Sequence, residues 1–296
     1  MSKKTSGTSR SKQLSTGNSF IDQVFKGLGQ IMLQENIITG LLFLAGIFYG
    51  SVFMGFAALL ATVCGTITAY LFGFDKTNTD KGLYGFSAAL TGVAFILFFG
   101  HSYIVWMLIV VGSVLAALIQ EFFIRRKITV FTLPFVLVTW IAIVSVKFIS
   151  PDLLIKSSSS ATIASDYFTF AIKGFGQVIF QNKVVSGILF FIAVLIHSPI
   201  AALYGLAAAM FSGIISLNFN TPVENISEGL LSFNAVLTAI AFAGNKLKDA
   251  VWISIALLLS LVISLYMMQN GYIQLTFPFV AASVITLVIR RLIHVK

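Results

Sequence analysis

The side chains that usually do chemistry are scarce in this chain and badly placed for it. Ten carboxylates, three histidines and one cysteine, Cys64, are its candidate acids, bases and thiols. The carboxylates all lie at or beyond the ends of long uncharged stretches, and His101, His197 and His294 stand at stretch ends too. Groups that drive ion coupling or proton pumping are held inside the membrane, where an ionisable residue is costly and therefore informative. The chain offers none there. No cluster has metal-ligand spacing, no serine or cysteine stands in a nucleophile–base pattern, and no glycine-rich phosphate loop is present. These residues predict no catalysis, no metal and no cofactor.

What recurs instead is paired Gln, Thr and Phe beside Gly and Pro. At an offset of 147, Lys26-Gly27-Leu28-Gly29-Gln30 returns as Lys173-Gly174-Phe175-Gly176-Gln177. Gly82, Leu83, Phe86, Ala88, Leu90 and Thr91 return as Gly229, Leu230, Phe233, Ala235, Leu237 and Thr238. At an offset of 144, Thr132-Leu133-Pro134-Phe135 returns as Thr276-Phe277-Pro278-Phe279. Apolar stretches match one another cheaply, but Gln, Gly, Thr and Pro at a shared offset do not. Amide and hydroxyl oxygens in apolar surroundings suit a narrow pore for a small, uncharged, polar solute. Aromatic rings there would favour a flat molecule, and without a carboxylate ring a hydrated ion finds no replacement for its shell. The same residues have plainer uses. Gln30 and Gln177 either face such a pore or tie backbone to its neighbours, and Thr132 and Thr276 either face its middle or bond a carbonyl beside the prolines.

The elements that position these residues follow from hydropathy. The chain is 58% apolar and 10% charged, against about 25% charged in an average soluble protein. This is the composition of an integral membrane protein. Runs free of Asp, Glu, Lys and Arg cover 36–74, 82–120, 128–146, 184–223, 229–245 and 250–289. A crossing takes about 20 apolar residues, so the long runs hold two spans each and the short ones hold one. This predicts an all-α membrane protein of about ten transmembrane helices in two five-span repeats. Breaks are expected at the turn-forming Gly50-Ser51, Gly100-His101, Ser198-Pro199 and Gln269-Asn270-Gly271. Ahead of each repeat's first span, the amphipathic segments 20–35 and 168–183 are too short and polar to cross, and are expected as re-entrant helices.

An odd number of spans per repeat turns the second copy over. Loop charge tests this independently, since cytoplasmic loops collect Lys and Arg. Lys76 and Lys81 stand opposite a counterpart loop, 221–228, that carries only Glu224 and Glu228. Arg125-Arg126-Lys127 map onto the uncharged Tyr272-Ile273-Gln274, and Lys246 and Lys248 onto the uncharged Phe99 and His101. With both termini cytoplasmic, 14 of the 19 basic residues lie inside, so the net charge of +9 reads as orientation and attraction to anionic lipid, not nucleic-acid binding. The expected divisions are a basic, disordered tail at 1–19, a first repeat at 20–150, an external linker at 151–167 and a second repeat at 168–296. The tail has no apolar core of a cleavable signal peptide.

Six motifs in order resemble the urea transporter family. They run through Gly29-Gln30, Gly82 to Leu90 and Thr132-Leu133-Pro134-Phe135, with their second-half copies, across roughly residues 20–290. The resemblance implies ten spans with two re-entrant helices and a homotrimer with one pore per protomer in the cell inner membrane. It also implies passive urea permeation between aromatic slots along ladders of oxygen acceptors. Carried over by position, Leu33 with Phe86 and Phe180 with Phe233 would form the slots. Gln30 and Gln177 would offer acceptors at the ends, Leu90 and Leu237 would line the constriction, and Thr132 and Thr276 would face the middle. Four positions depart from the family pattern. Ser87 replaces Asn, Leu33 stands where Phe is common, Ser232 where Gly is usual, and Lys183 where a second Asn would fall. Ser87 and Leu33 keep a pore for ammonia or short amides as an alternative, and an ion-coupled transporter is the less favoured third.

Overall fold

The computed structural model describes residues 19–155, 169–219 and 221–294; all but the last residue of the expected tail and most of the expected linker lie outside the described residues. Among the described residues the chain is all-helical, with fourteen α-helices and no strand. The first half contains α1 (Phe20–Gly29), α2 (Ile37–Gly50), α3 (Val52–Leu71), α4 (Lys76–Asp80), α5 (Phe86–Phe99), α6 (Tyr103–Arg125) and α7 (Leu133–Ile149). The second contains α8 (Phe170–Gln177), α9 (Val184–His197), α10 (Pro199–Ser216), α11 (Val223–Ser227), α12 (Phe233–Phe242), α13 (Leu247–Gln269) and α14 (Phe277–His294).

The helices break at the turn residues. α2 stops at Gly50 and Ser51 caps α3 by accepting the Met54 N–H at 3.4 Å. Pro199 opens α10, where its missing N–H costs nothing because the first-turn donors have no intrahelical acceptor. Asn36 caps α2 by accepting the Thr39 N–H at 3.0 Å. Lys183, its counterpart before α9, makes no side-chain cap.

α3, α6, α10 and α13 are each long and apolar enough to cross a membrane. At 1.5 Å per residue, their 18–23 residues reach about 27–35 Å. The other uncharged runs hold shorter helices. α5, α7, α9 and α12 have 10–17 residues, about 15–26 Å, short of the roughly 30 Å of hydrocarbon. An uncharged run therefore does not equal a full helix: 128–132 and 271–276 are apolar or uncharged but not helical. The helices in the two segments expected to be re-entrant are also shorter than those segments. α1 has 10 helical residues and α8 has 8, and the remainder of each segment is a tight turn. The pair formed by Phe20–Met32 and Ile37–Gly50 bends by 74°.

Contacts recur between the halves in reciprocal form. Thr39 Oγ1 donates to the Ala193 carbonyl at 3.0 Å, and Ser186 Oγ donates to the Gly46 carbonyl at 2.7 Å; each member lies 147 residues from its opposite number. Between these bonds the rings of Phe43 and Phe190 meet edge to face, with centroids 5.2 Å apart. From α6 onward the matching positions are 144 apart: Tyr103–Arg125 corresponds to Leu247–Gln269, and Lys127 and Gly271 share a positive φ. The basic triplet Arg125-Arg126-Lys127 thus matches Gln269-Asn270-Gly271 instead of Tyr272-Ile273-Gln274. The three-residue shift arises because α12 has 10 residues against 14 in α5, while the connection after it is one residue longer, 243–246 against 100–102. The matched loop is still uncharged.

Large apolar residues are more than half exposed around the outside, among them Leu71, Ile141, Val262 and Tyr266, as a lipid-facing surface requires. The principal core lies inside, where α2, α5, α7, α8, α9 and α12 converge.

Candidate functional site

The site grows from two tight turns, one per half. After α1 the chain makes one 3-10 turn, Gln30–Met32, and Leu33 then takes a left-handed φ of 61°. After α8, Phe180 does the same at 58°. A bulky residue held in that region costs about 1–3 kcal/mol and persists only where its surroundings fix it. Gln34 N–H closes the first turn on the Gly29 carbonyl at 3.1 Å, and Gln181 N–H closes the second on that of Gly176 at 2.9 Å. A Cβ on either glycine would run into the Gln34 or Gln181 carbonyl, which explains Gly before Gln in both motifs. The side chains of Gln34 and Gln181 brace the turns from within, donating to Met32 and Ile179 carbonyls at 2.7 and 2.9 Å. Sequence reasoning missed this pair, although its members also recur at an offset of 147.

Gln30 and Gln177 are buried and use their two ends differently. Their Nε2 groups donate to the Lys81 carbonyl at 3.1 Å and the Glu228 carbonyl at 3.0 Å. A carbonyl acceptor fixes which end of the amide points at it. The backbone tie is thus made by the nitrogens, and no described residue donates to either Oε1. Immediately after those carbonyls stand Gly82 and Gly229, both with φ of 77°. Each packs so tightly on Gly27 or Gly174 that a side chain would collide with the α1 or α8 backbone. The motif glycines therefore hold each turn against the start of α5 or α12.

Phe86 and Phe233 are the first residues of α5 and α12, with Leu90 and Leu237 one turn further on. All four are buried in the principal core, and Leu33 and Phe180 pack against it half-buried. The Phe180 ring meets Phe135 edge-on at 6.0 Å and makes no ring pair with Phe233. Phe131 and Phe279 stack at a tilt 5.0 Å apart.

Thr132 and Thr276 precede α7 and α14, each following a residue of positive φ, Phe131 at 49° and Leu275 at 44°. Their hydroxyls meet at 2.6 Å, although the residues are 144 apart in sequence. Neither bonds the carbonyl beside its proline. All ten residues singled out in the sequence thus sit in, against or beside one core, with the polar groups at its two turns and at its junction.

Glu121 is a buried carboxylate near the end of α6 that sequence reasoning left among the end residues. Its Oε2 accepts the Tyr84 hydroxyl at 2.6 Å and its Oε1 accepts Arg125 Nε at 2.6 Å. At the matching place in the second half stand Leu231 and Leu265, in an apolar cluster. Lys26 pairs with Glu35 at 3.4 Å near the first turn. Among the described residues no group of three His, Cys, Asp or Glu could hold a metal ion. Two surface crevices, of about 690 and 670 Å³, lie beside α7 and α13 and between α10 and α13; none of the ten residues lines either.

The sequence matches the family model described as "Urea transporter" over residues 21–291. Urea transporter 1 of Rattus norvegicus is 26% identical over 242 residues, covering 76% of this chain and 63% of the rat protein. Urea transporter 1 of Ovis aries and that of Capra hircus align with the same identity and coverage. The match thus spans less than two thirds of these relatives' length. Since the family model takes in both tight turns, both phenylalanine-led helices and the threonine pair, the chain belongs to the urea transporter family.

Proposed function

We propose that this protein is a passive channel for urea, which diffuses down its gradient along the line from Gln30 through the threonine pair to Gln177. The observation that carries the reading is the division of labour in the two glutamines. Their nitrogens are committed to backbone, so the end left for a solute is an acceptor. Urea has a planar frame bearing N–H donors. In a dry path each hydrogen bond it loses to water costs a few kcal/mol, on the order of 1–3 by protein measurements, unless replaced. Acceptors at Gln30, Thr132, Thr276 and Gln177 replace them in steps. The slots of Leu33 with Phe86 and Phe180 with Phe233, and the aliphatic Leu90 and Leu237, press on the faces of a flat solute and give nothing to an ion.

This reading takes the chain as ten spans in two inverted repeats, 20–150 and 168–296, with α1 and α8 re-entrant. The reciprocal Thr39–Ala193 and Ser186–Gly46 bonds support it, because a two-fold relation between copies generates such pairs. The switch of basic residues between matching loops supports cytoplasmic termini, and the inner membrane location follows from the family resemblance. A homotrimer with one pore per protomer, set in lipid, follows from the family resemblance.

Labelled urea entry into proteoliposomes tests the mechanism when proton and sodium gradients are imposed in either direction. Entry that stops at equal concentrations whatever the gradient is the expected result. Accumulation above the outside concentration would replace the channel with a coupled transporter. Entry of ammonia or short amides without urea would replace the substrate.

A further inference from the structure

The two halves of the site are not braced alike, and the difference centres on Ser87 and Asn234. They occupy the same local position, as the second residue of α5 and of α12. In both, the threonine one turn on donates back to that residue's carbonyl, Thr91 to Ser87 at 2.8 Å and Thr238 to Asn234 at 2.7 Å. The backbones therefore match, and only the side chains differ.

Asn234 ties three places together. Its Nδ2 donates to the Leu275 carbonyl at 3.2 Å and to Gln274 Oε1 at 3.4 Å, and its Oδ1 accepts the Phe279 N–H at 3.3 Å. Gln274 in turn donates to the Leu230 carbonyl at 3.2 Å. These bonds clamp both sides of Thr276, one of them through the strained Leu275, to the turn of α12 that begins with Phe233. In the first half the matching positions are Ser87 and Val130. Val130 has no hydrogen-bonding side chain, and the Ser87 hydroxyl is buried without a partner. Among the described residues, no side-chain hydrogen bond there links the segment carrying Thr132 to the turn that begins with Phe86, and the two meet through apolar packing alone.

We infer that Asn234 and Ser87 are the positioning residues that set size selectivity: the Asn234 clamp makes Phe233 and Thr276 a rigid second-half gate, while Ser87 leaves Phe86 and Thr132 free to yield to solutes somewhat larger than urea, such as N-methylurea and acetamide. The inference rests on the urea-channel reading for its solutes, but not for its mechanics. A clamp of three hydrogen bonds resists the displacement that a methyl group would force. A lone serine contributes no such restraint and leaves a buried hydroxyl in want of a partner.

Two readouts test it on the full-length protein in liposomes or detergent. Hydrogen–deuterium exchange on the wild type should show the 131–136 amides exchanging at least several-fold faster than those of 275–280. Asn234→Ser should abolish that difference by speeding the second segment, and Ser87→Asn should narrow it by slowing the first. The ratio of N-methylurea to urea permeability should then rise several-fold in Asn234→Ser and fall in Ser87→Asn. Should Ser87→Asn fail to fold, the wild type and Asn234→Ser still decide the matter. Equal exchange of the two segments in the wild type would overturn the inference, as would Asn234→Ser altering neither exchange nor the permeability ratio. If the wild type admits no urea, the channel reading fails, while the exchange comparison still decides the bracing.

Discussion

Thr132 Oγ1 and Thr276 Oγ1 lie 2.6 Å apart, a hydroxyl–hydroxyl bond joining the two halves of the chain at the residues that precede α7 and α14. Each residue is fixed by a proline two positions on and a positive φ one position before, so the contact is set by backbone on both sides. One hydroxyl donates and the other accepts, which leaves the acceptor's own hydrogen free for a further partner.

Removing one hydroxyl strands the other in a buried site, whereas removing both strands none. Thr132→Val and Thr276→Val should each lower unfolding stability by about 1–3 kcal/mol, and the double variant should lose less than the sum. Denaturant or thermal unfolding in one detergent, run as a double-mutant cycle, measures this. Strict additivity would mean the hydroxyls do not interact.

The Tyr84–Glu121–Arg125 cluster makes a contrast between two bonds of equal length. Tyr84 is buried against its carboxylate, while the Arg125 side chain is 67% exposed. A hydrogen bond to a buried charge is worth about 1.5–3 kcal/mol and an exposed ion pair at most about 1. Tyr84→Phe should therefore destabilise the fold clearly more than Arg125→Ala. The reverse order in an unfolding assay would show that the exposed guanidinium, not the phenol, supports Glu121.

Lys183 stands where a cap is missing. Asn36 supplies one at the matching start of α2, and a good N-cap is worth about 1 kcal/mol. Lys183→Asn is expected to raise stability by about that amount, and Asn36→Ala to lower it similarly. Thermal melts of the two variants beside the wild type check both signs.

Phe233 is buried at the head of a clamped helix, so truncation opens space that the clamp prevents from closing. Phe233→Ala should raise N-methylurea permeability relative to urea and cost about 3–5 kcal/mol in stability. Paired solute fluxes on one liposome preparation give the ratio; an unchanged ratio would remove Phe233 from the solute path.

Much of this arrangement was legible in the residues. Pairs of Gly, Gln, Thr and Pro at a fixed offset marked the two tight turns and the threonine contact because those types are not interchangeable in apolar surroundings, and the turn residues at Gly50-Ser51 and Ser198-Pro199 reported the helix ends. Other features were not legible. Absence of charge cannot separate a helix from a buried loop, so the lengths of α5, α7 and α12, shorter than the uncharged runs that hold them, were not readable. Gln34 and Gln181 looked like ordinary polar residues because their work is to satisfy a backbone turn that only the fold creates. Glu121 counted only as one of the carboxylates at stretch ends because nothing in the local sequence announces that Tyr84 reaches it from 37 residues away. The three-residue change of offset hid the same way, at the end of an apolar helix with no distinctive residue to mark it.

The central claim is that urea crosses unaided past the acceptors of this site. Its most direct test is the initial rate of labelled urea entry into proteoliposomes, without any gradient but urea's own, for the wild type beside the Thr132→Val Thr276→Val double variant. The account predicts fast, saturable entry far above that of empty liposomes, reduced about tenfold in the double variant, as loss of one solute hydrogen bond worth about 1.4 kcal/mol requires. Entry no faster than through empty liposomes, with the protein shown to be folded, would contradict it, and so would equal entry by both proteins.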